Sequence, residues 1–148
     1  MNVFKALYCN QYYELETKGK ADTAKKMGTI LNAVAIMLIL LSIFFLLVVF
    51  IPDFDRALNK MFKSAFGRRS GRAVGKFIGL IIVALAFPIV RYTLGTERSY
   101  NKTINEFKSK SAQEQEAISK RGLKFFINVA IFLGVSFLAV VVKLVFFD

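Results

Sequence analysis

No charged side chain occurs between Met27 and Pro52, and this run constrains the fold more than any motif does. A helix rises about 1.5 Å per residue and the hydrocarbon core of a bilayer is about 30 Å thick, so roughly 20 apolar residues cross it. The stretch LNAVAIMLILLSIFFLLVVFI meets that length. A backbone in lipid must satisfy its own N–H and C=O groups, which selects a helix. A first transmembrane helix is therefore predicted over 28–51. It starts too late, runs too long and lacks the A-x-A-like exit of a cleaved signal peptide, so it is expected to be retained.

A second uncharged run, Phe125 to Val142, is extended by Leu123 and by Lys143, whose long stem can snorkel to the headgroups. It predicts a span over 123–145. Between Lys76 and Arg91 lie 14 uncharged residues, FIGLIIVALAFPIV. Letting both cations snorkel in opposite directions extends this run to 73–94, about 33 Å. Pro88 removes one hydrogen bond within it, and a re-entrant segment is the alternative to a span. The expected fold is thus an all-α integral membrane protein of one domain with three transmembrane helices.

Basic residues divide as five before the first span, seven in the first loop, eight in the second, and Lys143. An N-terminus inside keeps the five and the eight on the cytoplasmic side, as the positive-inside rule favours. Lys25 and Lys26 before the first span, Asp53 and Asp55 after it, and Lys120, Arg121 and Lys124 before the third agree. Arg68, Arg69, Arg72 and Lys76 before the middle run vote the other way. The expected location is a cell membrane of the bacterial inner-membrane type, with the C-terminus outside.

The loops carry helical patterns of their own. After Asp53, a suitable N-cap, Phe54, Leu58, Met61, Phe62 and Phe66 recur at helical spacing with Arg56, Lys60 and Lys63 opposite. This predicts an interfacial amphipathic helix over 54–66, its apolar face on lipid or on protein. Residues 96–121 read as a polar helix or helical hairpin with a thin stripe of Tyr100, Ile104, Phe107 and Ile118, broken at Gly122 before the last span. Phe4, Leu7, Tyr8, Tyr12 and Leu15 share a face of an N-terminal helix suited to the interface.

The absence of histidine excludes imidazole ligation and imidazole base catalysis. A lone Cys9 permits no internal disulfide or cysteine metal site. Glu14/Glu16, Asp53/Asp55 and Glu114/Glu116 are i, i+2 pairs, which point apart on a helix, and the apolar runs hold no carboxylate for ion coupling. No catalytic residue, cofactor or metal is expected. Ser42 and Ser136 read as back-bonding or helix-packing hydroxyls. Asn32 and Asn128 are the strongest polar groups in the first and third spans and are expected to seek interhelical partners, each other included.

The segment GRRSGRAVGKFIG remains. As a phosphate loop it fails twice, with Ser70 where the first glycine belongs and Phe77 in place of the hydroxyl. What holds is Gly67, Gly71, Gly75 and Gly79, a tandem G-x-x-x-G repeat that lines one helix face and lets a second backbone approach. Arg68, Arg69, Arg72 and Lys76 sit where anionic headgroups or an acidic partner would be. A net charge of +11 fused to membrane helices points to anionic membrane lipids rather than nucleic acid. The expected role is an accessory or scaffolding subunit of a larger membrane complex, docked through the glycine face. A homo-oligomeric pore of holin type is the alternative, and a lipid-organising protein a weaker one.

Overall fold

The computed structural model describes residues 1–54, 56–58, 60, 70–93 and 95–146, of which 70–75 as backbone alone. Among the described residues the main helices are, in order, α1 (Val3–Glu16), α2 (Ala24–Phe50), α3 (Ser70–Thr93), α4 (Glu97–Lys108) and α5 (Ala112–Phe146), with a 3₁₀ turn, Ala21–Thr23, before α2. No strand occurs among the described residues. Three helices, α2, α3 and α5, are long and apolar enough to cross a membrane. Their outward faces expose large apolar side chains such as Leu80, Leu85, Ile131, Val135 and Leu138. Such continuous apolar surface suits lipid rather than water, and the three apolar helices point to a membrane location.

α2 is the central helix, packed by α1, α3 and α5. A Cβ built on Gly95, just past α3, would lie 3.3 Å from the Thr29 methyl near the start of α2, so α3 runs antiparallel to α2. Near the other end, the Phe45 and Phe137 rings lie 5.8 Å apart and Lys143 Nζ donates to the Val48 carbonyl at 2.7 Å, so α5 runs parallel to α2. Lys143 thereby satisfies one of the carbonyls that the last turn of α2 leaves unpaired, at the end where a cation is favoured. α3 is one uninterrupted helix of 24 residues through Pro88, about 36 Å long, and not a re-entrant hairpin.

α5 has 35 residues, about 52 Å, which exceeds a bilayer core by some 20 Å. The excess is its N-terminal part, and there the chain builds a second core. Cys9 and Tyr12 of α1, Ala24 of α2, and Ile104 and Phe107 of α4 are buried together, with Tyr100 and Ile118 packed around them. Edge-on ring pairs join Phe4 to Phe125 at 5.2 Å, Tyr8 to Tyr100 at 5.7 Å and Tyr12 to Phe107 at 6.3 Å. Asn10 Nδ2 donates to Ser119 Oγ at 3.0 Å, and the Tyr8 hydroxyl bonds to that of Thr29. α1 is therefore the centre of a helical head, wedged among α2, α4 and α5, its tyrosine face covered by the chain itself. Its ends are fixed locally. Asn2 Oδ1 accepts from the Lys5 N–H at 2.9 Å, and Gly19 (φ 68) makes the left-handed turn that lets the Lys20 N–H reach the Leu15 carbonyl.

Gly122 does not break the last helix. It sits inside α5 because α1 lies on it: a Cβ there would come 2.3 Å from the Ala6 carbonyl oxygen and 2.8 Å from the Leu7 nitrogen. Gly28 in α2 has a similar reason, since a Cβ would meet the Tyr8 ring at 2.5 Å. The turn between α4 and α5 is closed by a capping box, the Ser111 N–H donating to Glu114 Oε2 at 3.0 Å and the Glu114 N–H to Ser111 Oγ at 3.4 Å.

Of the amphipathic helix expected over 54–66, residues 54, 56–58 and 60 are helical, while Met61, Phe62 and Phe66 lie outside the described residues. The Phe54 ring packs on Phe44 of α2 at 6.1 Å, and Leu58 is half-buried. Asp53 stands at the N-cap position, its carbonyl accepting from the Ala57 N–H at 2.8 Å. It takes a left-handed φ of 56, and its carboxylate receives Arg56 Nη1 at 2.9 Å.

Cys9 reports on the head. It is fully buried, and burial, aided by the charge of Glu106, pushes its thiol up from 9.0 to about 12. Reaction with a thiol reagent at neutral pH is expected to be slower by roughly a thousandfold than in the unfolded chain. Gly122→Leu should lift α1 off α5 and abolish this protection while α2 and α5 remain helical. Raised pKa values make the head's stability full below about 9 and progressively lost as pH rises toward 12, where Tyr100 also ionises. Alkaline titration of Cys9 protection checks the sign.

Candidate docking surface

α3 carries the glycine repeat, and its packing is uneven along its length. Ile78, Ile82, Ala86 and Val90 form one i, i+4 row toward α2. Ala86 and Val90 are fully buried, Ile78 and Ile82 only partly. The C-terminal half is thus anchored, with the Gly95 N–H bonded back to the Val90 carbonyl at 2.8 Å and Gly95 set against Thr29. Among the described residues α3 makes no extended contact with α5.

The N-terminal half holds the predicted docking residues. Gly71, Gly75 and Gly79 all lie within the helix, which begins at Ser70. At Gly79, which is exposed, an added Cβ would meet nothing within 4 Å. Arg72 is helical and Lys76 is helical and exposed, whereas Gly67, Arg68 and Arg69 lie outside the described residues. By angle at 100° per residue, Gly71, Gly75 and Gly79 fall on the same side of α3 as the Ile78 to Val90 row. The glycine face is thus continuous with the α2-facing row but is left open around Gly79.

The small residues that the fold uses internally lie elsewhere. On α2 the buried positions Ala24, Gly28, Asn32, Ala35 and Ser42, and on α5 Ser119, Gly122, Val129 and Ser136, recur at three-, four- and seven-residue spacing. Such a small-residue seam lets helices approach closely in lipid, where no hydrophobic force draws them together. The spacing is visible in the sequence, but only if serine, alanine and asparagine are read with glycine. Ser42 and Ser136 donate to the carbonyls of Leu38 and Phe132, both at 2.8 Å, the back-bonding expected of them.

Asn32 and Asn128 are not brought together. Asn32 is fully buried, its Nδ2 donating to the Gly28 carbonyl at 2.9 Å while its Oδ1 has no hydrogen-bond partner among the described residues. Asn128 is exposed on another face of α5. The amide finds its own preceding turn before it finds a neighbouring helix. Among the described residues no three His, Cys, Asp or Glu side chains group as metal ligands.

An orphaned buried carbonyl costs stability that an apolar side chain of the same shape does not. Asn32→Leu is therefore expected to leave thermal unfolding in detergent unchanged or to raise its midpoint. Asn32→Asp, which buries a charge, should cost about 2–4 kcal/mol. A loss of stability with leucine would mean that the free oxygen is in fact bonded.

Compared with protein-family models, with curated proteins and with solved structures, the chain matches none.

Proposed function

We propose that the protein is a non-enzymatic membrane subunit that docks a second membrane helix on the glycine face of α3, and so serves as an accessory or scaffolding component of a larger assembly. The observation that carries this reading is the contrast among its glycines. Gly28 and Gly122 each make room for a neighbour within the chain, whereas among the described residues nothing lies within 4 Å of a Cβ built at Gly79 or at Gly134 of α5, and of these two only Gly79 belongs to the tandem repeat. A glycine inside an exposed helix costs about 1 kcal/mol relative to alanine, and a repeat of them in the half of α3 that α2 leaves uncovered suits an approaching backbone from outside. Arg72 and Lys76 then lie beside the dock, where acidic groups of a partner or anionic headgroups would meet them.

The reading is tested by purification in mild detergent followed by identification of the co-purifying chains. Gly79→Leu is expected to release the partner while Cys9 protection stays as in the wild type, since Cys9 reports on the distant head. A partner retained by Gly79→Leu contradicts docking at this face. If only this chain is recovered, as a particle several times its mass, the same face joins copies of itself and the pore reading takes precedence.

A further inference from the structure

At the anchored end of α3, the first turns of α2 and the last turns of α3 enclose a cavity of about 420 Å³. Lys25, Lys26 and Arg91 line it together with Thr29, Ile30 and Phe87. The arrangement is graded along the helices. On α2 the two lysines precede Ile30 by about one turn, and on α3 Arg91 follows Phe87 by one turn. The cations therefore sit at the ends of the apolar helices and the two apolar residues sit one turn further in.

The charges are largely uncommitted. Lys25 is ion-paired with the exposed Glu97, but the side chains of Lys26 and Arg91 make no hydrogen bond or ion pair among the described residues. The start of α2 adds the positive end of its dipole. The Thr29 hydroxyl is already engaged, donating to the Lys25 carbonyl at 2.8 Å and bonded to the Tyr8 hydroxyl, so it contributes wall rather than a donor. Two or three cations around one cavity call for an anion. Ile30 and Phe87, both exposed, call for something apolar attached to it.

We infer that this cavity binds the phosphate headgroup of an anionic membrane lipid, with Lys26 and Arg91 on the phosphate and an acyl chain descending over Ile30 and Phe87. Basic pockets between transmembrane helices at the headgroup level are suited to such lipids. A soluble phosphate would use only the cationic half. Glu97 competes with the lipid for Lys25 and so sets the affinity. This site lies about four turns along α3 from Lys76 and does not depend on a docked partner.

The test uses the full chain in phosphatidylcholine nanodiscs with a trace of spin-labelled phosphatidylglycerol, reading the motionally restricted lipid fraction. Phosphatidylglycerol is expected to be retained and spin-labelled phosphatidylcholine not. At about a fivefold effect per charge, Lys26→Gln combined with Arg91→Gln should weaken retention roughly thirtyfold. Glu97→Gln, a change at an exposed position, should tighten it severalfold. Cys9 protection verifies that each variant is folded. Equal retention of the two lipids, or wild-type affinity in both the double variant and Glu97→Gln, overturns the proposal. Displacement of the lipid by inorganic phosphate at a comparable concentration would assign the cavity to a soluble phosphate and likewise overturn it.

Discussion

The backbone of α1 lies directly on the backbone of α5 at Gly122, and most of the structure follows from that approach. With α1 held there, Tyr8 reaches Gly28 and Thr29 of α2, Asn10 reaches Ser119 of α5, and Tyr12 meets Phe107 of α4. One short helix thus ties together the starts of two membrane helices and the connection to the third. The energetic reason lies in where this core sits. Burying a leucine or phenylalanine from water stabilises by about 1.5–3 kcal/mol, and Leu7 and Phe107 are both fully buried. In lipid that driving force is absent. A head that stands in water is where the hydrophobic effect can organise such a bundle.

Within the apolar region weaker devices suffice. α2 packs along α5, with Ala35 and Ser42 of the one and Val129 and Ser136 of the other buried, and the two are clamped at the far end by Lys143 on the Val48 carbonyl. Among the described residues, α3 is held on α2 chiefly through its second half, by Ala86, Val90 and the Gly95 contact. That asymmetry leaves two distinct openings beside α3, a cationic cavity where it is anchored and an uncovered glycine face where it is not. The proposed lipid and the proposed partner occupy different ends of one helix.

The apolar helices were legible because lipid demands length and uniform composition, and both are local properties. The runs predicted at 28–51 and 73–94 correspond to α2 (Ala24–Phe50) and α3 (Ser70–Thr93), and that at 123–145 to the later part of α5. The head was legible only in halves. Tyr100, Ile104, Phe107 and Ile118 gave a stripe on one segment and Leu7, Tyr8 and Tyr12 a stripe on another. A stripe announces a face to be covered but not its cover, so the two were not matched. Gly122 was misread for a related reason: a glycine that ends a helix and one that admits a neighbour look alike in a single sequence. Asn32 was expected to bond across helices because the preceding-turn carbonyl that captures it is present in every helix and leaves no mark on the sequence.

The fold requires α1 to be docked on α5 rather than spread on a membrane surface. The most direct measurement is disulfide formation in native membranes between Asn10→Cys and Ser119→Cys, in a chain carrying Cys9→Ala. The side chains of Asn10 and Ser119 are 3.0 Å apart, so mild oxidation should crosslink them rapidly and nearly completely, joining α1 to α5. A pair that stays reduced under conditions that oxidise exposed thiols would contradict the docked head.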